Sequence, residues 1–319
     1  METVIPIADV QSIYSVAEVD RALGDSVAQR NEGLKSWYDR MRELGGSRFI
    51  IKPSTTAAVD DLYQTSPNFV NVVDDLRKHL ALAVAGNEAV QFTPMLLLGE
   101  PGLGKTYFAK KLARALGTGF EFVSMTSLTA GWILTGASAQ WNNSRPGKVA
   151  QTLIEGDYAN PVVVLDEVDK AGGDSRYDPM GALYTLLERD TASHFKDEFI
   201  DVDIDASHIL WVATANDEST IPEPILNRMN VYTIEQPDAH GALRIALAVY
   251  HEILDAHRWP FPHDPSESVL ERLSALPPRD MRKLLVDAFG TARLANRDYL
   301  VPEDIDAKKL CGRKARLGF

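Results

Sequence analysis

The eight residues Gly99-Glu100-Pro101-Gly102-Leu103-Gly104-Lys105-Thr106 constrain this chain more than any other stretch. They lie between the apolar run Met95–Leu98 and a helical pattern whose Phe108, Leu112 and Ala115 share one face before Gly117. A buried strand, a glycine turn and a helix therefore follow one another without a break. Glycines let the backbone turn tightly and bring several N–H groups onto one anion. The helix that follows adds its free amides and the positive end of its dipole. The order G-x-x-x-x-G-K-[ST] is that of a phosphate-binding loop. In it Lys105 is placed to reach terminal phosphates, and the Thr106 hydroxyl to ligate Mg²⁺.

Similar short apolar runs recur at 120–124, 162–165, 209–213 and 231–234, mostly separated by helical segments. Strands without polar alternation, linked by helices, predict a parallel sheet covered on both faces. From about Pro237 onward only helical patterns remain, among them "HGALRIALAVYHEILDAH" and "RDMRKLLVDAFGTARLA". The expected fold class is α/β: a P-loop NTPase sheet covered by helices, then a small all-helical lid. A helical extension precedes it. Its Ser15–Glu18 has capping-box spacing, Leu34, Trp37, Tyr38, Met41 and Leu44 recur at helical spacing, and Gly45-Gly46 ends the run. The expected boundaries are 1–64, 65–237 and 238–319. Whether the extension packs on its own body or on a neighbouring subunit stays open at this point.

A second motif, "PVVVLDEVDK" from Pro161 to Lys170, ends a buried run in two adjacent carboxylates. Asp166 at the strand tip is placed to hold Mg²⁺, and Glu167 to orient and deprotonate an attacking water. Two neighbouring carboxylates repel, so a cation is expected beside them. A third run, "ILWVATANDEST", carries Asn216 at its tip, where an amide can hold the same water. Arg228 follows a proline-punctuated turn in "IPEPILNRMNVYTI" and is a candidate to reach a neighbour's nucleotide.

The chain of 319 residues carries a formal net charge of −12. That weighs against nucleic acid as the main partner, since phosphate backbones are held by clustered Lys and Arg. The one basic cluster, "KKLCGRKARLGF", reads as a solvated tail. The single cysteine, Cys311, excludes an internal disulfide framework. No apolar run reaches the roughly 20 residues that span a bilayer. The N-terminus lacks a basic flank and apolar core of signal type, so a cytoplasmic protein is expected.

With these residues in hand, the chain resembles the AAA+ ATPases, and among them the ATPase module of Lon-type proteases. The likeness covers roughly residues 65 to 300. It runs through Pro146-Gly147-Lys148, Asn160-Pro161, Asp166-Glu167-x-Asp169-Lys170, Asp178-Pro179, Thr214-Ala215-Asn216 and the turn ending in Arg228-Met229. The resemblance implies ATP and Mg²⁺ as cofactors. It makes Lys105 and Thr106 part of Walker A, Asp166 and Glu167 Walker B, Asn216 sensor 1 and Arg228 an arginine finger. Arg279 matches the sensor-2 position best, with Arg282 as the alternative. Phe69 and Val70 lie where such ATPases line the adenine pocket. Trp141 matches the aromatic of a pore loop that grips a polypeptide, although Asn142 and Asn143 depart from the usual aliphatic residue and glycine. A serine–lysine protease domain is not expected. The resemblance implies a homo-oligomeric ring, by family default a hexamer, that remodels a protein client. The alternatives are a nucleotide-dependent assembly switch that threads nothing and, third, a nucleic-acid loader or motor.

Overall fold

The computed structural model describes residues 7–127, 132–141, 144–171 and 180–306. The strands are β1 (Ile7–Ser12), β2 (Ser47–Lys52), β3 (Met95–Leu98), β4 (Phe120–Ser124), β5 (Val162–Asp166), β6 (Phe195–Lys196), β7 (Asp203–Ile204), β8 (Leu210–Ala215) and β9 (Asn230–Thr233). Five of them form one sheet in the order β4-β5-β8-β3-β9, every pair parallel. This is the α/β sheet that the apolar runs predict. Parallel strands need long crossovers, and helices such as Lys105–Leu116 and Lys148–Glu155 provide them. β3, β5 and β8 are buried along nearly their whole length, which explains their lack of polar alternation.

The residues cluster into two compact units. The first comprises 1–59, 74–98 and 109–233; the second comprises 60–73, 99–108 and 234–319.

In the first unit the N-terminal extension packs on the α/β body of its own chain. Val19, Leu34, Tyr38 and Met41 share one core with Leu153, Phe199 and Ile200. The Tyr38 hydroxyl donates to the Ile200 carbonyl. The extension is not purely helical: β1 pairs antiparallel with β2. The signal was the short segment "RFIIK", whose burial alternates at first as a half-exposed strand requires. Two side chains fasten β2. Buried Asn160 accepts from Ile51 N at 3.0 Å and donates to Ile51 O at 2.9 Å. That pair of hydrogen bonds is the physical use of the Asn before Pro161. Arg48, also buried, donates to the Leu153 carbonyl at 2.9 Å and to that of Ile154, at the C-terminal end of helix Lys148–Glu155. A cation there satisfies orphan carbonyls and opposes the helix dipole. The helix Val16–Leu23 does begin after Ser15, but the Ser15 side chain makes no capping bond. Gly45, at φ 70°, closes the helix Glu32–Leu44.

In the second unit, helices Ala239–Ala256, Glu267–Ser274 and Pro278–Leu294 enclose a core of Ile245, Val249, Tyr250, Leu273, Leu285 and Phe289. Asp238 caps the first of them by accepting from Gly241 N at 2.6 Å. Arg297 grips Asp304 with two bonds of 2.8 and 2.7 Å, which hold the segment after the last helix. Among the described residues no helix is long and apolar enough to cross a membrane.

Candidate nucleotide site

The loop predicted to bind phosphate belongs to the second unit. Gly102 and Gly104 have φ of 93° and 90°, conformations that a side chain would strain. Helix Lys105–Leu116 starts at once, with Phe108 N on Gly104 O at 2.8 Å. Lys105 is 8% exposed. Its ammonium curls back onto the loop, donating to the Gly99 carbonyl and to the Glu100 carbonyl at 3.0 Å. Glu100 and Pro101 are exposed, Leu103 is buried, and Thr106 is half-buried. Asn68 Nδ2 contacts the Leu103 and Glu235 carbonyls at 3.3 Å each, tying the turn before Phe69 to the loop. Gln236 Nε2 donates to Glu100 Oε2 at 3.3 Å.

Phe69 is buried and stacks on Phe108, with ring centroids 4.3 Å apart and planes 4° from parallel. Its ring is therefore spent on packing against the loop helix. Val70, the adjacent position, is exposed. On the same unit Tyr107 donates to Glu252, and Glu252 pairs with Arg282 at 3.1 Å. Arg282 is thus linked to the helix that begins at Lys105, a connection that the sequence did not reveal. Arg279 lies exposed in the first turn of helix Pro278–Leu294, one turn before Arg282.

The carboxylates belong to the first unit. β5 and β8 run side by side with Leu165 opposite Ala213, so Asp166 and Thr214 emerge together at the C-terminal edge of the sheet. The Thr214 hydroxyl donates to Asp166 Oδ1 at 2.9 Å and accepts from Glu167 N at 3.0 Å. One buried hydroxyl therefore orients both carboxylate residues. Glu167 itself is left-handed, at φ 56° and ψ 53°, a conformation that costs about 1 kcal/mol for a residue with a Cβ. Its carboxylate pairs with Lys170, and that bond raises the Lys170 pKa.

Asn216 is steered from below. Asp169 Oδ2 accepts from Asn216 N at 3.1 Å and from Asp217 N at 3.3 Å. The Asp169 carbonyl accepts from the Thr220 hydroxyl at 2.8 Å. Asp169 is the third acid of "DEVD", two residues past Glu167. Its position in the motif was visible, but its service to the Asn216 turn was not. The first unit thus holds Asp166 and Glu167 in one hydrogen-bonded set around Thr214, and the Asn216 backbone in a second around Asp169. Leu98, the last residue of β3, is opposite Ala215 at the same sheet edge, and Gly99 is the next residue in the chain.

Arg228 is occupied elsewhere. Its guanidinium pairs with Glu188 at 2.6 Å, donates to the Pro224 carbonyl at 2.6 Å and lies 5.5 Å from the centre of the Tyr184 ring.

The family "ATPase family associated with various cellular activities (AAA)" matches residues 95–235. The Lon protease of Nitrosococcus oceani is 37% identical over 50% of this chain and 21% of its own length. That of Frankia alni is 31% identical over 95% of this chain and 37% of its own length.

Residues 95–235 form an AAA-family domain.

It is similar to the ATPase region of the Lon proteases, and it spans well under half the length of these relatives. A structure of the Saccharomyces cerevisiae Hsp104–casein complex shares the fold, with a TM-score of 0.62, 17% identity, and coverage of 88% of this chain and 52% of that one. Hsp104 with ATPγS and casein gives 0.60 at 18% identity, covering 75% and 48%.

The AAA+ domain presents Trp141 on a loop between helices Trp132–Thr135 and Lys148–Glu155. The indole is 55% exposed, so it is not packed beneath its loop. The Trp141 carbonyl accepts from the Ser144 hydroxyl at 2.9 Å. Asn142 and Asn143 lie outside the described residues, as do Asp178, Pro179, Cys311 and the basic C-terminal cluster. The loop is anchored at its base by Asp197, which is fully buried. Asp197 accepts from Gly147 N at 2.7 Å, Phe199 N at 2.9 Å and Ile200 N at 3.2 Å. A Cβ on Gly147 would overlap the Leu134 carbonyl, which is why the Pro-Gly-Lys turn needs its glycine. Burial pushes the Asp197 carboxyl up to about 6, against the pull of those three N–H donors. From the extension, Asn31 donates to Ala139 O at 2.8 Å while its own Oδ1 caps Leu34 N at 3.1 Å.

Proposed function

We propose that this AAA+ domain binds and hydrolyses Mg·ATP, and that copies of the chain assemble head to tail into a ring that remodels a protein client. The carrying observation is the Thr214-centred set that presents Asp166 and Glu167 at the edge where β3 leads into Gly99–Thr106. The loop would hold the phosphates through the N–H groups of Glu100, Gly102, Leu103 and Gly104, Pro101 having no N–H to offer. Lys105 would exchange its carbonyl partners for the terminal phosphates. Thr106 and Asp166 are hard oxygen donors of the kind that Mg²⁺ takes, and Thr214 already fixes the orientation of Asp166. Bound there, Mg²⁺ would neutralise charge on the phosphate oxygens. Glu167 would leave Lys170 and accept a proton from the attacking water, with Asn216 orienting that water.

Arg228 would serve a neighbour's nucleotide, in exchange for Glu188. Arg279 would contact the γ-phosphate, with Arg282 held one turn later by Glu252. Val70 would meet the base, and Phe69 would back it. Such a heterologous interface closes into a ring when its rotation permits, with six copies the family default. The exposure of Trp141 supports its role as the contact with a threaded polypeptide. The acidic chain supports a protein rather than a nucleic acid as client.

Glu167→Gln tests the chemistry. General-base catalysis contributes about 10²–10⁴-fold, so turnover is expected to fall by that factor while ATP binding persists. The trapped protein is expected to assemble with ATP in light scattering. Hydrolysis at the wild-type rate would remove Glu167 from the mechanism.

A further inference from the structure

The helical unit holds a side-chain cluster that the nucleotide chemistry does not use. His251, on helix Ala239–Ala256, faces His263 and Asp264 on the connection to helix Glu267–Ser274. Each offers one ligand atom, and all three atoms lie within 4.8 Å of one another. Asp264 Oδ1 stands 3.5 Å from His251 Nε2 and 3.4 Å from His263 Nδ1. Those separations are long for charge-assisted hydrogen bonds, which close to about 2.7–2.9 Å. His251 Nε2 is buried and has no hydrogen-bond partner among the described residues. The two spacings to Asp264 fit a metal better, and the His251 and His263 rings lie side by side, 4.1 Å between centroids and 32° apart. Zinc bonds of about 2.0–2.2 Å to nitrogen and carboxylate oxygen put tetrahedral ligands roughly 3.3–3.5 Å apart.

We propose that His251, His263 and Asp264 bind one divalent transition-metal ion, with Zn²⁺ as the best fit. Two imidazoles and a carboxylate are a borderline donor set, unlike the all-oxygen sets of Mg²⁺ and Ca²⁺. The connection is already held in place for it. The Tyr250 hydroxyl donates to the Pro262 carbonyl at 2.8 Å, beside His263. Phe261 and Trp259 pack on Phe289, with ring centroids 4.7 and 5.3 Å away. The ion would staple the C-terminal half of one helix to the approach of the next. Asp264 is 82% exposed, so the fourth position is open to water.

The test is calorimetric titration of the metal-stripped full chain with ZnCl₂, without nucleotide, beside His263→Ala and Asp264→Asn. Both substituted side chains are largely exposed, so the fold is expected to survive. One Zn²⁺ per chain is expected at micromolar concentration, weakened at least about tenfold in each variant. Free Zn²⁺ at 100 times the dissociation constant raises the folded-to-unfolded ratio about 100-fold, so the wild-type melting temperature rises and those of the variants rise less. Co²⁺ is expected to give the intense visible absorption of a tetrahedral site in wild type only. A wild-type chain that takes up no Zn²⁺ at micromolar concentration overturns the proposal. So do variants that bind with wild-type stoichiometry and affinity.

Discussion

The phosphate loop and the Trp141 loop are both built on glycines and both expose residues at their tips, but they are held in opposite ways. Gly99–Thr106 is shaped chiefly by its own residues, glycines at positive φ and a lysine that returns to the loop's own carbonyls, with Asn68 and Gln236 adding only long contacts of 3.3 Å. The Trp141 loop is held from a distance. Its base hangs on Asp197, fifty positions after Gly147, and its flank on Asn31, more than a hundred positions before Ala139. A local device survives wherever a strand feeds a helix. A remote one exists only once the whole unit has folded, so damage to it is felt as lost stability.

The comparison breaks most visibly at Asp197. Asp197→Ala leaves three buried N–H groups without their acceptor and is expected to cost about 2–5 kcal/mol in urea unfolding. A loss below about 1 kcal/mol would show that the loop base is held by something else. The same residue predicts a pH dependence. Its carboxyl lies near 6 in the folded chain against an ordinary 3.8, so the native state favours the proton. Its stabilising contribution is complete below about pH 4 and is lost as pH rises through about 6. The melting temperature of wild type relative to Asp197→Asn is expected to fall across that window.

Lys105→Ala attacks the local loop. Charge-assisted bonds are worth about 1.5–3 kcal/mol, so nucleotide binding is expected to weaken about 10- to 100-fold by fluorescence titration. Asn31→Ala removes both the helix cap and the bond to Ala139 O, and is expected to cost about 0.5–2 kcal/mol. The smallest effect on stability belongs to Trp141→Ala, within about 0.5 kcal/mol because the indole is exposed. In a threading motor that variant keeps its ATPase activity and loses work on a polypeptide, whereas in an assembly switch it changes little.

Much of the fold was legible. The five apolar runs became the five strands of the parallel sheet, with ends displaced by two residues at most. β1 and β2 were missed because a short, half-exposed pair carries little periodicity of its own and leans on Asn160 and Arg48. In the candidate site, residue types at the strand tips could be read from the chain. Their partners could not: Thr214 for Asp166, Asp169 for Asn216, Glu188 for Arg228 and Phe108 for Phe69 all come from other segments of the chain.

By itself the amino-acid order determined that a glycine loop follows a buried strand and opens a helix, and that two carboxylates end another such strand. Those features follow from backbone conformation and side-chain periodicity over a few residues. Only the folded chain decided which hydroxyl orients Asp166, which carboxylate occupies Arg228, and which buried acid supports the Trp141 loop. Such pairings depend on which distant segments packing excludes from water together, because an unpaired polar group is costly only there.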